Sequence, residues 1–164
     1  MTWTTANRLR LPQQCCGDEG SALMARLATC FVYGSLMSAE VLHELLGRVP
    51  VMRAAVLKGF RRHALFARNY PGIVPDAQAS VHGQVLFALQ PKETQLLDLF
   101  EDEYTKEAVQ VAVEGESAPL DTNVYVYARG HEVALLGDWD YAQWRREHLQ
   151  GFLASTREFA AQHR

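Results

Sequence analysis

No apolar run approaches the ~18 residues that a membrane-spanning helix needs. Cysteine is scarce, with three thiols of which two are the adjacent Cys15 and Cys16. An odd set cannot pair fully within one chain, which argues against a disulfide framework. Adjacent thiols have poor chelate spacing and Cys30 has no histidine close by, so no structural zinc site is expected. The six histidines are scattered, with no helical i, i+4 pair to hold a metal. Positive charge is not in excess. The formal net charge is −3, which argues against a dedicated nucleic-acid binder. A Gly-x-Ser-x-Gly elbow, a Walker loop and a dinucleotide fingerprint are all absent. These absences point to reduced thiols in a cytoplasmic protein without recognisable metal spacing or a nucleotide-binding motif.

What is present suits one globular domain: 164 residues, 48% of them hydrophobic and 21% charged. Residues 1–28 read as an N-terminal extension expected to be mobile, with a short helix over Ser21 to Ala28. Residues 1–17 hold Arg8 and Arg10 and no acid, but lack a secretory apolar core and the arginine density of a transit peptide. Organellar targeting is therefore the lesser expectation. The folded domain is expected over 29–164.

Thr29 to Tyr33 reads as a buried strand, broken by Gly34-Ser35. Ser38 then offers an N-cap for a helix whose stripe is Val41, Leu42, Leu45 and Leu46, stopped by Gly47. Val51 to Leu57 and Phe60 to Phe66 read as two strands with Lys58-Gly59 as their hairpin turn. Tyr70 to Asp76 reads as a loop fixed by Pro71 and Pro75. Further strands are expected over Val81 to Leu89, Thr105 to Val113 and Asn123 to Ala128, with a helix from Pro91 to about Asp102 between the first two. In the last strand Val124 and Val126 share one face, Tyr125 and Tyr127 the other. Residues 140–163 keep helical spacing, with Gly151 as a weak point. Strands and helices do not alternate strictly. An α+β fold with a mixed, curved or barrel-like sheet and flanking helices fits this order.

Three places can carry chemistry. In the first, Tyr33-Gly34-Ser35-Leu36 joins a buried strand to a helix, and such a turn presents backbone N–H groups to an anion or a developing oxyanion. The second is the acidic helix end around Glu101. Leu96, Leu99 and Phe100 mark the apolar face, Asp98 and Asp102 the polar one, and Glu101 the border. A border carboxylate can lean over a cleft, lose solvent and gain the raised pKa of a general base. A solvated acidic face is the plainer reading of the same residues. In the third, Leu45 to Pro75 carries Arg48, Arg53, Lys58, Arg61, Arg62 and Arg68 without one acid. That stretch could bind carboxylates, phosphates or RNA, but exposed strand faces balanced by the acidic 93–116 segment are favoured. Trp139, Tyr141 and Trp144 read as core anchors.

Taken in order, Phe31-Val32-Tyr33-Gly34-Ser35-Leu36, Tyr70-Pro71, Val81-His82-Gly83-Gln84-Val85, Leu97-Asp98-Leu99-Phe100-Glu101-Asp102, Tyr104-Thr105-Lys106 and Val124-Tyr125-Val126-Tyr127 resemble the γ-glutamylcyclotransferase-like proteins. The tail Gly137-Asp138-Trp139-Asp140-Tyr141 with Trp144 resembles their plant and related eukaryotic avirulence-induced (AIG2-like) branch. The resemblance spans residues 29 to 129. It implies a small barrel-like sheet of about six strands with flanking helices and a long C-terminal helix. It also implies a small-molecule γ-glutamyl substrate, converted to 5-oxoproline and a free amine without a cofactor. Glu101 falls on the family's catalytic glutamate, and Tyr33, Gly34, Ser35 and Leu36 on its ligand-binding loop, with Tyr70 and Tyr104 as further substrate contacts. One departure stands out. Lys106 occupies a position where arginine is usual, which keeps the charge but loses the planar fork. A non-catalytic binding or signalling module on the same fold is the alternative. The nature of the leaving amine and the oligomeric state are left open.

Overall fold

The computed structural model describes residues 27–127 and 135–164. The expected helix over Ser21 to Ala28 falls almost wholly outside them, as do Cys15 and Cys16. Five strands close into a barrel: β1 (Ala28–Val32), β2 (Val51–Ala64), β3 (Pro71–Leu89), β4 (Tyr104–Val113) and β5 (Leu120–Tyr127). Around it lie α1 (Ala39–Leu46), α2 (Pro91–Phe100), α3 (Tyr141–Glu147) and α4 (Leu149–His163). The ring order is β1-β3-β2-β4-β5, and every pairing is antiparallel except β1 with β5. No helix among the described residues is long and apolar enough to cross a membrane.

The expected six strands are therefore five among the described residues, and the reason lies in the β2–β3 pair. Lys58-Gly59 is not a hairpin turn. Gly59, at φ +82°, sits within one continuous strand opposite a bulge in β3, where the register jumps from Lys58↔Ser80 to Phe60↔Pro75. Tyr70 to Asp76 is likewise not a loop. Pro71 opens β3 and Pro75 borders the bulge, two places where a missing N–H costs the ladder little. A third correction concerns the C-terminal helix, which breaks at His148 (φ −123°, ψ −18°) into α3 and α4, ahead of Gly151.

Side-chain alternation separates two cores. Phe31, Tyr33, Ile73, Val85, Val124 and Val126 fill the barrel. Cys30, Val32, Leu86, Leu89 and Tyr125 point outward, where they meet Val41, Leu42 and Leu45 of α1, Leu96 and Leu97 of α2, and Trp144. Local signals fix these helices. The Ser38 Oγ accepts from Val41 N, and Gly47 ends α1 in the left-handed region. Pro91 occupies the first turn of α2, while Glu93 accepts from Gln90 N at 2.8 Å. Tyr141 stacks on Trp144 and Trp139 packs tilted against both, with Trp144 buried.

Four of the six cations in the acid-free stretch form ion pairs. Arg48 meets Glu93, Arg53 meets Glu116 and Arg68 meets Glu103, all three acids lying in the 93–116 segment, while Arg61 meets Asp76.

Candidate active site

β1 delivers its chain into the turn at 33–36, and Ser35–Met37 winds into one 3-10 turn. A first helical turn leaves its N–H groups without intrahelical acceptors. The N–H groups of Ser35 and Leu36 and the Ser35 hydroxyl have no hydrogen-bond partner among the described residues. Gly34 is required by a close approach. A Cβ there would stand 2.8 Å from Pro71 Cγ and 2.9 Å from its Cδ. This contact brings Tyr70 and Pro71, at the start of β3, against the turn. Arg62 reaches the same turn from β2, donating from Nη1 to the Tyr33 carbonyl at 2.8 Å with its guanidinium over the Trp139 ring.

The end of α2 supplies the other wall. Glu101 is its C-cap, donating its N–H to Leu97 O and accepting from Tyr104 N. Its side chain is half-buried and makes no hydrogen bond or ion pair with another described residue. Burial pushes its carboxyl up from 4.5 to about 8, and neighbouring Asp102 adds to the rise.

Between these walls is a cleft of about 340 Å³. It is lined by Tyr33, Gly34, Ser35, Leu36, Tyr70, Glu101 and Tyr104, so all seven residues singled out in the sequence meet in one place. Backbone carbonyls and acids nearby accept hydrogen bonds from the phenols. Tyr33 donates to Tyr125 O (2.6 Å), Tyr70 to Glu103 (2.6 Å), Tyr104 to Pro71 O (2.7 Å) and Tyr125 to Asp98 (2.6 Å). Burial first, and nearby carboxylates after it, push all four phenols above their usual range, so they stay protonated. Cys30 lies close to Glu101, and burial first pushes its thiol up to about 12, which leaves it inert as a nucleophile.

Several lining residues were not anticipated. Phe152, Ser155, Thr156 and Phe159 come from one face of α4, beside Leu99 and Phe100 of α2. Phe152 and Phe159 belong to the helical spacing of residues 140–163, but periodicity marks an apolar face without saying what it covers. Lys106 does not line the cleft. Its Nζ pairs with Asp98 at 2.9 Å, beside the Tyr125 ring. A cation here thus tethers α2 to β4 through a single point contact, for which the planar fork of arginine is not needed.

The matching family model, gamma-glutamyl cyclotransferase, AIG2-like, spans residues 30–145. The chain belongs to this family. It is 43% identical over 132 residues to AIG2-like protein D of Arabidopsis thaliana, covering 79% of this chain and 87% of that one. An Arabidopsis thaliana protein solved in solution superimposes with a TM-score of 0.65 at 31% identity, over 83% of this chain and 92% of its own. A solved gamma-glutamyl cyclotransferase shares the fold, with a TM-score of 0.54 at 15% identity, over 79% of this chain and 86% of that one.

Proposed function

We propose that this AIG2-like chain is a γ-glutamylcyclotransferase, releasing an amine from a γ-glutamyl compound with ring closure to 5-oxoproline. The observation that carries the reading is the Glu101 carboxyl, pushed up to about 8 and without a partner among the described residues, sharing a small cleft with N–H groups of the 33–36 turn that have none among them either.

The substrate carries both nucleophile and electrophile, so the site's first task is to fold it. Holding the α-amine against its own γ-carbonyl exploits effective molarities of about 10⁵ M or more. The α-amine arrives as ammonium and is no nucleophile until it loses a proton. Glu101 accepts that proton, and the nitrogen then bonds to the γ-carbon. The amide C–N bond breaks as Glu101 returns protons to the departing nitrogen. Two protons leave the ring nitrogen and two reach the amine, which departs as an ammonium. A pKa near 8 suits both directions of this transfer. The N–H groups of Ser35 and Leu36, with the Ser35 hydroxyl, hold the substrate α-carboxylate, and Tyr70 and Tyr104 wall the glutamyl chain.

The test is 5-oxoproline release from a panel of γ-glutamyl amino acids and amines, with wild type and Glu101→Gln side by side. Release by the wild type alone is expected. Full turnover by a folded Glu101→Gln protein would remove Glu101 from the reaction. No release from any compound, with tight binding of 5-oxoproline, would make the chain a binding module.

A further inference from the structure

Four cations of the acid-free stretch pair with carboxylates, and Lys58 is exposed to solvent. Arg62 does neither. It is half-buried, and among the described residues its one hydrogen bond runs from Nη1 to the Tyr33 carbonyl at 2.8 Å. Burial pulls its guanidinium below the usual range, and Asp140 and Asp138 oppose that only from a distance. A buried charge without a carboxylate contact costs stability. The Trp139 ring offsets part of that cost, its centre lying 5.1 Å from the guanidinium carbon. Tyr33 and Gly34 line the cleft, whereas Arg62 lines a separate hollow with Trp139, His82 and Ser80. The Tyr33–Gly34 peptide therefore stands between the two. In a trans peptide the C=O and N–H point opposite ways. A guanidinium that holds the carbonyl on the hollow side turns the Gly34 N–H toward the cleft side. That N–H has no backbone or side-chain partner among the described residues.

Resting on the proposed cyclotransferase reading, we infer that Arg62 is a positioning residue for the substrate carboxylate. It fixes and polarises the Tyr33–Gly34 peptide, so that the Gly34 N–H joins those of Ser35 and Leu36 as a donor. Arg62 itself touches no substrate. A charged donor on the carbonyl draws electron density toward the oxygen and strengthens the N–H of the same amide. The same bond sets the direction in which the chain leaves β1, just ahead of the turn at Ser35–Met37. Lysine would restore the charge, but not the planar group that faces Trp139 while donating in its own plane. The substrate carboxylate is bound in ground and transition states alike. Loss of Arg62 therefore raises KM more than it lowers kcat.

The experiment measures, by calorimetry on the full chain, the affinity for 5-oxoproline and for its carboxamide, which keeps the ring and lacks the carboxylate charge. Wild type is compared with Arg62→Ala and Arg62→Lys, with turnover and urea unfolding followed beside. The wild type should prefer 5-oxoproline by at least about tenfold, and Arg62→Ala should lose most of that preference. Arg62→Lys should recover part of it. Guanidinium ion added to Arg62→Ala should recover more than ammonium at the same concentration. A purely structural loss would weaken both ligands alike and leave the preference unchanged. That result in a folded Arg62→Ala protein would overturn the inference and leave the cyclotransferase reading standing. Should Arg62→Ala fail to fold, Arg62→Gln, a planar donor without the charge, carries the same comparison. A wild type that binds 5-oxoproline without turnover removes the cyclotransferase reading, and the preference still decides the role of Arg62. No preference for the carboxylate in the wild type overturns the inference outright.

Discussion

Glu101→Gln tests the desolvation of this carboxyl through stability as well as through activity. The carboxyl ionises at about 8 in the folded chain and at 4.5 as a free group. Below 4.5 it is protonated in both states and contributes nothing against folding. Between 4.5 and 8 the folded chain keeps a proton that the unfolded chain has released, so stability falls as pH rises. Above 8 the loss is complete. The gap between 4.5 and about 8, at ~1.36 kcal/mol for each tenfold change in proton affinity, sets an upper bound of about 5 kcal/mol. Water in the cleft screens the charge, and about 2 kcal/mol is the expected size. Glutamine has the same shape and no charge, so the variant lacks this pH dependence. Urea unfolding of both proteins at pH 5 and pH 9 reads the difference directly. The variant should gain about 2 kcal/mol on the wild type between those two pH values. Parallel stability curves, with a constant gap, would refute the claim that Glu101 is desolvated. At neutral pH the same variant should lose on the order of 10²–10⁴ in turnover, the usual contribution of a positioned acid–base group.

Three further outcomes follow from the same geometry. The acid limb of kcat/KM should fall near pH 8, because Glu101 of the free enzyme must be ionised to accept a proton, and the limb of kcat should lie lower because the bound ammonium favours the carboxylate. A pH–rate series separates the two, and a kcat/KM limb near 4 to 5 would contradict the raised pKa. Gly34→Ala should cost about 1–3 kcal/mol in urea unfolding and raise KM, since its Cβ would meet the Pro71 ring at 2.8 Å and push the turn aside. Unchanged KM and stability would show that Pro71 yields freely. Lys106→Ala should cost less than about 1 kcal/mol, as expected of a part-exposed ion pair, and Lys106→Arg should be near neutral in stability and turnover. A large gain in turnover with arginine would show that the cation acts on substrate after all.

Much of the local structure was legible from the chain alone. Ser38 and Gly47 bound α1 because capping is a matter between neighbours. Val124 and Val126 were readable as one face, and Tyr125 and Tyr127 as the other, because strand alternation has a fixed period. Glu101 could be placed on the border of a helical face by the same arithmetic. The long hairpin was not legible. Gly59 with its positive φ serves a hairpin turn and a place opposite a bulge equally well, and only the register against Ser80 and Pro75 separates the two. Pro71 and Pro75 looked like loop residues because a proline is costly inside a ladder, yet both sit where the ladder does not ask for an N–H. His148 gives no local sign that it ends α3.

Sequence by itself determined the chemistry on offer: a carboxylate at a helix end, a strand-to-helix turn with free N–H groups, and an apolar C-terminal stripe. Tertiary structure decided that these three meet. Barrel closure through the parallel β1–β5 pair sets the end of β1 beside the end of α2, and packing of α4 against α1 carries Phe152 and Phe159 onto the same cleft. Charge, hydrogen-bond capacity and periodicity are properties of neighbours along the chain. The burial that raises Glu101 to about 8 is a property of residues as distant along the chain as Phe31 and Phe159, and folding alone brings them within reach.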